Sequence, residues 1–282
     1  MKNPSKRDVG RLLDFASEVA REAGDRAREL LRKRLVVDSR KHHDVKLEAD
    51  RTSERVILEA IGRQFPGHAV MSEEAGCRGP SDAELVWVVD PLDGTANFAR
   101  GLPHYSVSMG CLFRGQPLAG VVYDPSRGEL CRGSRFHAAT LNGERVKVRP
   151  TARIDEALVL VGFGNRVDDL KRDMHIWRKI VFTASKSRST GSAALDMVFV
   201  ASGRADGYLE CGISPWDVTA GAAIVRAAGG RVRLMHFDKL RFDVVATNAK
   251  LHSCLRRFMD EVHGPPTGQT LGGVVRQAAG RG

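Results

Sequence analysis

From Val9 onward, apolar residues recur at Leu12, Leu13, Ala16, Val19, Ala20, Ala23, Ala27, Leu30 and Leu31. This spacing follows one face of a helix with 3.6 residues per turn, so a long first helix is predicted. A second helix is expected from Asp50 to Phe65, stopped by Pro66-Gly67. Beyond it the pattern shortens. Ala69 to Ser72, Leu85 to Val89, Val107 to Phe113 and Leu118 to Tyr123 are brief apolar runs between Gly and Pro, and read as strands. Tyr123 to Glu129 and Leu141 to Glu144 carry the turn residues of hairpins. After Pro150 the pattern is mixed. Strands are expected at Leu158 to Val161 and Asp206 to Leu209, and helices at Asp168 to Val181, Ala193 to Ala201, Asp217 to Ala228 and, as the terminal one, Asn248 to Val262.

Strands and helices come in clusters rather than in strict alternation, which places the chain in the α+β class, a layered sandwich with much antiparallel sheet. A seam near Lys147 to Asp155 would divide an N-terminal α+β subdomain (1–150) from a C-terminal α/β subdomain (151–263). Gly264-Pro265-Pro266-Thr267-Gly268 then opens a flexible tail, 264–282.

At 282 residues, 42% hydrophobic and 28% charged, the composition is that of a globular protein and argues against disorder or a fibre. Five scattered cysteines without a C-x-x-C pair suggest neither a zinc site nor a disulfide framework, and fit a reducing cytoplasm. No run of about 18 apolar residues marks a membrane span. The charge is less ordinary. Forty-four Lys and Arg against 34 Asp and Glu leave +10, which suits an anionic partner: nucleic acid, a membrane surface or a small anionic substrate. Seven basic residues against two acidic ones fall between Arg26 and Lys41, although basic residues at a helix C-terminus also simply suit its dipole.

Candidate chemistry narrows these options. In Trp87-Val88-Val89-Asp90-Pro91-Leu92-Asp93-Gly94-Thr95-Ala96-Asn97-Phe98 an apolar strand delivers two carboxylates onto a turn followed by Gly94 and Thr95. Hard cations such as Mg²⁺ take carboxylate and carbonyl oxygens, while Gly94 permits close backbone approach and free N–H groups at a helix start accept phosphate. Asp-Pro and Asp-Gly are also common turn dipeptides, and Asp124-Pro125 reads as a plain turn. Two further acidic clusters stand beside this one. Ser72-Glu73-Glu74-Ala75-Gly76 follows a strand, and Ser214-Pro215-Trp216-Asp217 opens a helix in a pattern that capping alone would explain.

Asp90-Pro-Leu-Asp-Gly-Thr-Ala-Asn-Phe98, and Trp216-Asp-Val-Thr-Ala-Gly221 followed by Gly229-Gly230, resemble the two signature motifs of the inositol monophosphatase family of Mg²⁺-dependent, lithium-sensitive sugar phosphatases. The resemblance runs from Val9 to Val262 and implies a layered αβαβα sandwich with mainly antiparallel sheets. It implies a homodimer and two to three Mg²⁺ per site. Glu73, Asp90 and the Leu92 carbonyl would hold the first, Asp90, Asp93 and Asp217 the second, and a weaker third would lean on Glu73. Asp50 and Thr95 would orient the attacking water, and Gly94 and Thr95 N–H groups would hold the phosphate. Gly191, Ser192, Ala193 and Glu210 would meet substrate hydroxyls, with Asp93 and Asp217 beside the substrate. A metal clamp offsets the repulsion between a phosphate dianion and its nucleophile, so direct in-line attack by metal-activated water is expected, without a phosphoenzyme.

The expected activity is hydrolysis of inositol 1-phosphate or a similar small polyol or sugar phosphate. Fructose-1,6-bisphosphatase, histidinol-phosphatase and 3′-phosphoadenosine 5′-phosphate phosphatase share the implied metal site. The alternative from another class is a regulator that binds RNA or a transcription complex through Arg26 to Lys41. That region has no RNA-recognition signature and no interleaved aromatics. The chain departs from the family pattern at Lys46-Leu47, where Val-Thr is usual, and at Thr219, where a small apolar residue is usual. His42-His43 reads as a basic loop pair, Trp87, Trp177 and Trp216 as packing, and Arg188 as either a substrate contact or a surface pair.

Overall fold

The computed structural model describes residues 3–35, 42–263 and 270–279. Two helices open the chain, α1 (Lys6–Leu35) and α2 (His42–Gln64). α1 begins at a reciprocal cap. The Asp8 carboxylate accepts the Ser5 N–H at 2.9 Å, and Ser5 Oγ accepts the Asp8 N–H at 3.2 Å. Its apolar stripe is the buried face, with Val9, Leu12, Leu13, Ala16, Ala20 and Ala23 no more than 4% exposed.

The first sheet is built from β1 (Ala69–Ser72), β2 (Gly76–Arg78), β3 (Leu85–Asp93), then, beyond the short helix α3 (Thr95–Ala99), β4 (Ser106–Phe113), β5 (Gln116–Asp124), β6 (Glu129–Ser134), β7 (Thr140–Leu141) and β8 (Glu144–Arg145). Their order is β2-β1-β3-β4-β5-β6-β7-β8, and only β1 and β3 pair in parallel. A 3₁₀ turn at Ile154–Glu156 leads to β9 (Leu158–Val161), α4 (Val167–Thr183), β10 (Lys186–Arg188), α5 (Ala193–Ala201), β11 (Gly207–Ile213), α6 (Pro215–Ala227), β12 (Arg231–Asp238), β13 (Arg241–Thr247), α7 (His252–Asp260) and α8 (Leu271–Ala279). The second sheet runs β10-β9-β11-β13-β12, parallel across its first three strands.

The layers follow from which faces are apolar. α1 and α2 cover one face of the first sheet, α5 and α6 fill the space between the sheets, and α4 and α7 close the far face of the second. The architecture is therefore the αβαβα sandwich that the resemblance implies, with mainly antiparallel pairing.

α6 lies unusually close to the first sheet. Gly110, Gly120 and Gly133 are register partners on β4, β5 and β6. A Cβ would stand 2.5 Å from Thr219 Cγ2 at the first, 2.2 Å from Ala220 O at the second and 2.8 Å from Ala227 Cβ at the third. Thr219 thus occupies space that Gly110 leaves, and its Oγ1 donates to the Pro215 carbonyl at 2.7 Å.

Several expectations need correction. The helix expected from Asp50 begins at His42, so His42-His43 opens a helix rather than forming a basic loop pair. The helix expected at Asn248 to Val262 begins at His252, and another helix follows it. The expected flexible tail contains α8, whose Leu271, Val274 and Val275 are at most 5% exposed, inside the core between the layers. Residues 264–269 and 280–282 of that stretch lie outside the described residues. Gly272 lowers helix propensity, yet it lets α8 come within 1.9 Å, measured from an added Cβ, of Gly115 Cα, so packing outweighs propensity.

Candidate active site

The site begins with an irregularity in β3. Residues three apart on a regular strand point to opposite faces. Here Asp90 pairs with Ser108 and Asp93 with Ser106, so three steps on β3 oppose two on β4. This is a one-residue bulge, placed where Pro91 has no N–H for the ladder, and it brings Asp93 back to the side of Asp90. Leu92 N–H donates to Asp90 Oδ1 at 2.9 Å and fixes the turn.

Asp217 arrives from the start of α6. One of its oxygens accepts the Ser214 N–H at 2.9 Å, so the capping role read from sequence is real. A carboxylate has two oxygens, and capping is compatible with a second role. Asp90, Asp93 and Asp217 each present an oxygen within 4.8 Å of the others. Asp90 is 2% and Asp93 6% exposed. Burial, then Glu73, Asp93 and Asp217, push Asp90 well above the usual carboxylate range. Burial, then Asp93 and Glu73, do the same to Asp217. Burial raises Asp93 too, opposed by hydrogen bonds from Ser192, Ser106 and Ala194. Two buried carboxylates and the half-buried Asp217, which resist joint ionisation, form a donor set that hard divalent cations would satisfy.

Glu73 sits exposed in the turn after β1, with its N–H on the Val89 carbonyl at 3.3 Å. That turn is tied to α2 by Glu54, which accepts from Ser72 Oγ at 2.6 Å and from Ala75 N–H at 2.8 Å. Asp50 lies one turn earlier on α2 and is 4% exposed. Lys46 and Leu47 are helical, but their side chains, like those of His42 and His43, fall outside the described residues.

The other half of the chain closes on the same place. Gly94, at φ 81°, precedes α3, and a Cβ on it would meet the His104 carbonyl oxygen at 2.9 Å and that of Gly191 at 3.3 Å. Thr95 opens α3, half-buried. Asn97 Nδ2 donates to the carbonyls of His104 at 2.9 Å and Thr190 at 2.8 Å. Ser192, the N-cap of α5, donates its hydroxyl to Asp93 Oδ2, which also accepts from Ser106 Oγ at 3.0 Å and Ala194 N–H at 3.2 Å. Gly191 and Ala193 flank that cap. Sequence reasoning missed Glu54, Asn97 and Ser106. Asn97 stood inside the quoted motif, whereas no local signal marks the other two.

Glu210 projects from β11 just before a second bulge, where three steps to Ile213 oppose two from Val244 to Phe242. Gly212 carries φ 70° there. Its N–H donates to Asp243 at 2.9 Å, and Cys211 N–H donates to Asp173 at 2.8 Å. Arg172 bridges Asp243 and Asp169, and Arg241 grips Asp169 from the other side. Burial pushes Glu210 up to about 8, while the Tyr208 hydroxyl donates to its Oε2. Asp196, on α5, is likewise raised by burial to about 8 and accepts from Thr190 Oγ1.

Among the remaining sequence candidates, Trp87 and Asp124 have packing and turn roles. Trp87 is buried and donates to His68 Nδ1 at 3.2 Å within a ring cluster that includes Phe15 and Phe65. Asp124 accepts from Ser126 and Arg127 N–H groups, as a turn residue does. Arg188 is exposed on β10 and donates to the Ser187 carbonyl at 2.7 Å. No helix among the described residues is long and apolar enough to cross a membrane.

The family model for the inositol monophosphatase family matches residues 8–262. An inositol-1-monophosphatase of Synechocystis sp. is 40% identical over 90% of this chain and 91% of its own. Nus factor SuhB of Pseudomonas aeruginosa is 37% identical over 91% of this chain and 98% of its own. The structure of an inositol monophosphatase from Anabaena (Nostoc) sp. superposes with a TM-score of 0.77 at 37% identity, covering 92% of this chain and 98% of that one. With the three carboxylates gathered as the motifs require and the sandwich shared across almost the whole length, the chain belongs to the inositol monophosphatase family.

Proposed function

We propose that the protein is a Mg²⁺-dependent phosphomonoesterase that hydrolyses inositol 1-phosphate or a similar small polyol or sugar phosphate. The observation that carries this reading is the convergence of Asp90, Asp93 and Asp217 within 4.8 Å, beside the starts of α3 and α5. Glu73, Asp90, Asp93, Asp217 and the Leu92 carbonyl would hold two to three Mg²⁺. Bound metal would supply charge neutralisation on the phosphate and acidification of the attacking water. The chain itself does the positioning. Asp50 and Thr95 orient the water, the Gly94 and Thr95 N–H groups hold the phosphate, and Gly191, Ser192, Ala193 and Glu210 hold the polyol.

A panel of inositol 1-phosphate, fructose 1,6-bisphosphate, histidinol phosphate and 3′-phosphoadenosine 5′-phosphate at millimolar Mg²⁺ tests the reading. Phosphate release from one of them that Asp93→Asn abolishes supports it, and release from none sinks it. Lithium inhibition would be read in the same assay.

The family resemblance also carries a homodimer. α4 supports it with a row of exposed apolar side chains, Val167, Leu170, Met174 and Val181, beside Phe182, which is 81% exposed. A second reading, binding to RNA or transcription machinery in the cytoplasm, draws on relatives named Nus factor SuhB and on the basic stretch from Arg26, of which the side chains from Lys33 to Lys41 lie outside the described residues. Salt-dependent RNA binding weakened by neutralising Arg32, Lys33 and Arg34 would favour it.

A further inference from the structure

At the C-terminal end of α6, away from the acidic cluster, the surface is concave and basic. A cavity of about 750 Å³ is lined by Arg135, Arg145 and Arg226 and by no carboxylate. A second, of about 460 Å³, adjoins it and is lined by Lys6, Arg132 and Arg145, with Asp14 as its single acid. Asp14 is already engaged by Arg132 at 2.7 Å. Arg135 and Arg145, both lining the larger cavity, have no ion pair among the described residues, so neither guanidinium is committed to a carboxylate. Two guanidinium groups without a carboxylate partner line the same hollow, and an anion seated there would pair with both.

The ridge between the cavities is Phe136-His137-Ala138, which lines both. Phe136 is 41% exposed, and its loop is firmly held. Ser134 Oγ accepts the Phe136 N–H at 3.2 Å and the His137 N–H at 3.0 Å and bonds the His137 ring at 3.0 Å, while Arg135 N–H donates to the Leu118 carbonyl at 2.9 Å. An exposed aromatic ring on a backbone-anchored loop between two basic hollows offers a stacking surface beside guanidinium groups. The volume is that of a small-molecule site. From Asp217 to Arg226 is nine residues of one helix, about 13 Å along its axis, so this hollow is separate from the acidic cluster.

We infer that this groove binds a free nucleoside polyphosphate, with its phosphates on Arg135 and Arg145 and its base against Phe136. The inference does not rest on the phosphatase reading.

Calorimetric titration of the full-length protein with ADP and with pyrophosphate, in EDTA at low salt, tests it. Without metal the acidic cluster repels both probes, so the groove is read alone. Saturable ADP binding is expected, weakened at least tenfold by Arg135→Ala/Arg145→Ala. Phe136→Ala should weaken ADP several-fold and leave pyrophosphate unchanged. Circular dichroism checks that both variants fold, and Arg135→Lys/Arg145→Lys, which keeps the charge, should restore part of the affinity. Absence of ADP binding, binding indifferent to these substitutions, or binding of a short oligoribonucleotide but not ADP would each overturn the inference.

Discussion

Ser192 donates its hydroxyl to Asp93 Oδ2 across 99 residues of sequence, so a carboxylate on the first sheet is oriented by the start of a helix that leads into the second. A hydrogen bond to a charged acceptor is worth roughly 1.5–3 kcal/mol. Ser192→Ala should therefore lower kcat/KM by about 10- to 100-fold. Asp93 keeps Ser106 and Ala194 as donors, so the fold should persist with only a modest fall in melting temperature. Steady-state kinetics beside a thermal melt separates the two effects, and unchanged kinetics would remove Ser192 from the site.

Gly162 makes room for Glu210. A Cβ at 162 would lie 1.7 Å from Glu210 Oε2, inside any permitted contact. Gly162→Ala should displace the carboxyl and raise KM about tenfold or more, while Gly162→Ala in a Glu210→Ala background should add little. This strong non-additivity is expected of residues that share one space. A double-mutant cycle on KM measures it.

Asp196 and Glu210 give the metal-free protein a pH dependence of definite sign. Burial raises both to about 8, above the ordinary carboxylate value. The folded state therefore holds these protons more tightly than the unfolded chain. Their stabilising contribution is complete below about pH 4 and is lost as pH rises through about 8. In EDTA the melting temperature should fall between pH 5 and pH 9, and Asp196→Asn should make that fall shallower.

Mg²⁺ should reverse part of this loss. Binding to the folded state alone stabilises by about 2.7 kcal/mol at a hundredfold excess over Kd. Melting curves at pH 8 with increasing Mg²⁺ should shift upward for the native protein and much less for Asp217→Asn. An equal shift in both would mean that Asp217 holds no metal.

The α4 surface predicts assembly. Phe182→Glu with Met174→Glu should convert a dimer into a monomer in light scattering, with the circular dichroism spectrum unchanged. A native protein that is monomeric at micromolar concentration would refute the dimer.

The sequence carried those parts of the molecule that repeat locally. The α1 face follows from spacing alone, and the Ala69–Ser72 strand and the Ala193–Ala201 helix have the limits their apolar runs suggest. The strands β12 and β13 were not foreseen, because Arg231 and Arg233 interrupt the first and its partner is chosen only in the sheet. α8 was hidden by its glycines, which are there for a close contact far away in sequence. At the site, Asp90, Asp93, Glu73 and Asp217 stood out as carboxylates at turns and helix starts. Their convergence depends on a bulge, and a bulge is a relation between two strands that neither strand's sequence states. Glu54 and Ser106 act only through residues distant in sequence, and no local pattern marks them.

The glycine row Gly110, Gly120 and Gly133 has a consequence for how the site could evolve. α6 carries Asp217 at its first turn and rests directly on sheet backbone for most of its length. Its height above β3 is therefore fixed by the absence of side chains rather than by their fit. Any residue larger than glycine in that row would lift the whole helix like a shim under a beam, and would carry Asp217 away from Asp90 without touching either. The spacing of the carboxylates is set by three positions that contribute no chemistry, and these positions should tolerate substitution as poorly as the carboxylates do.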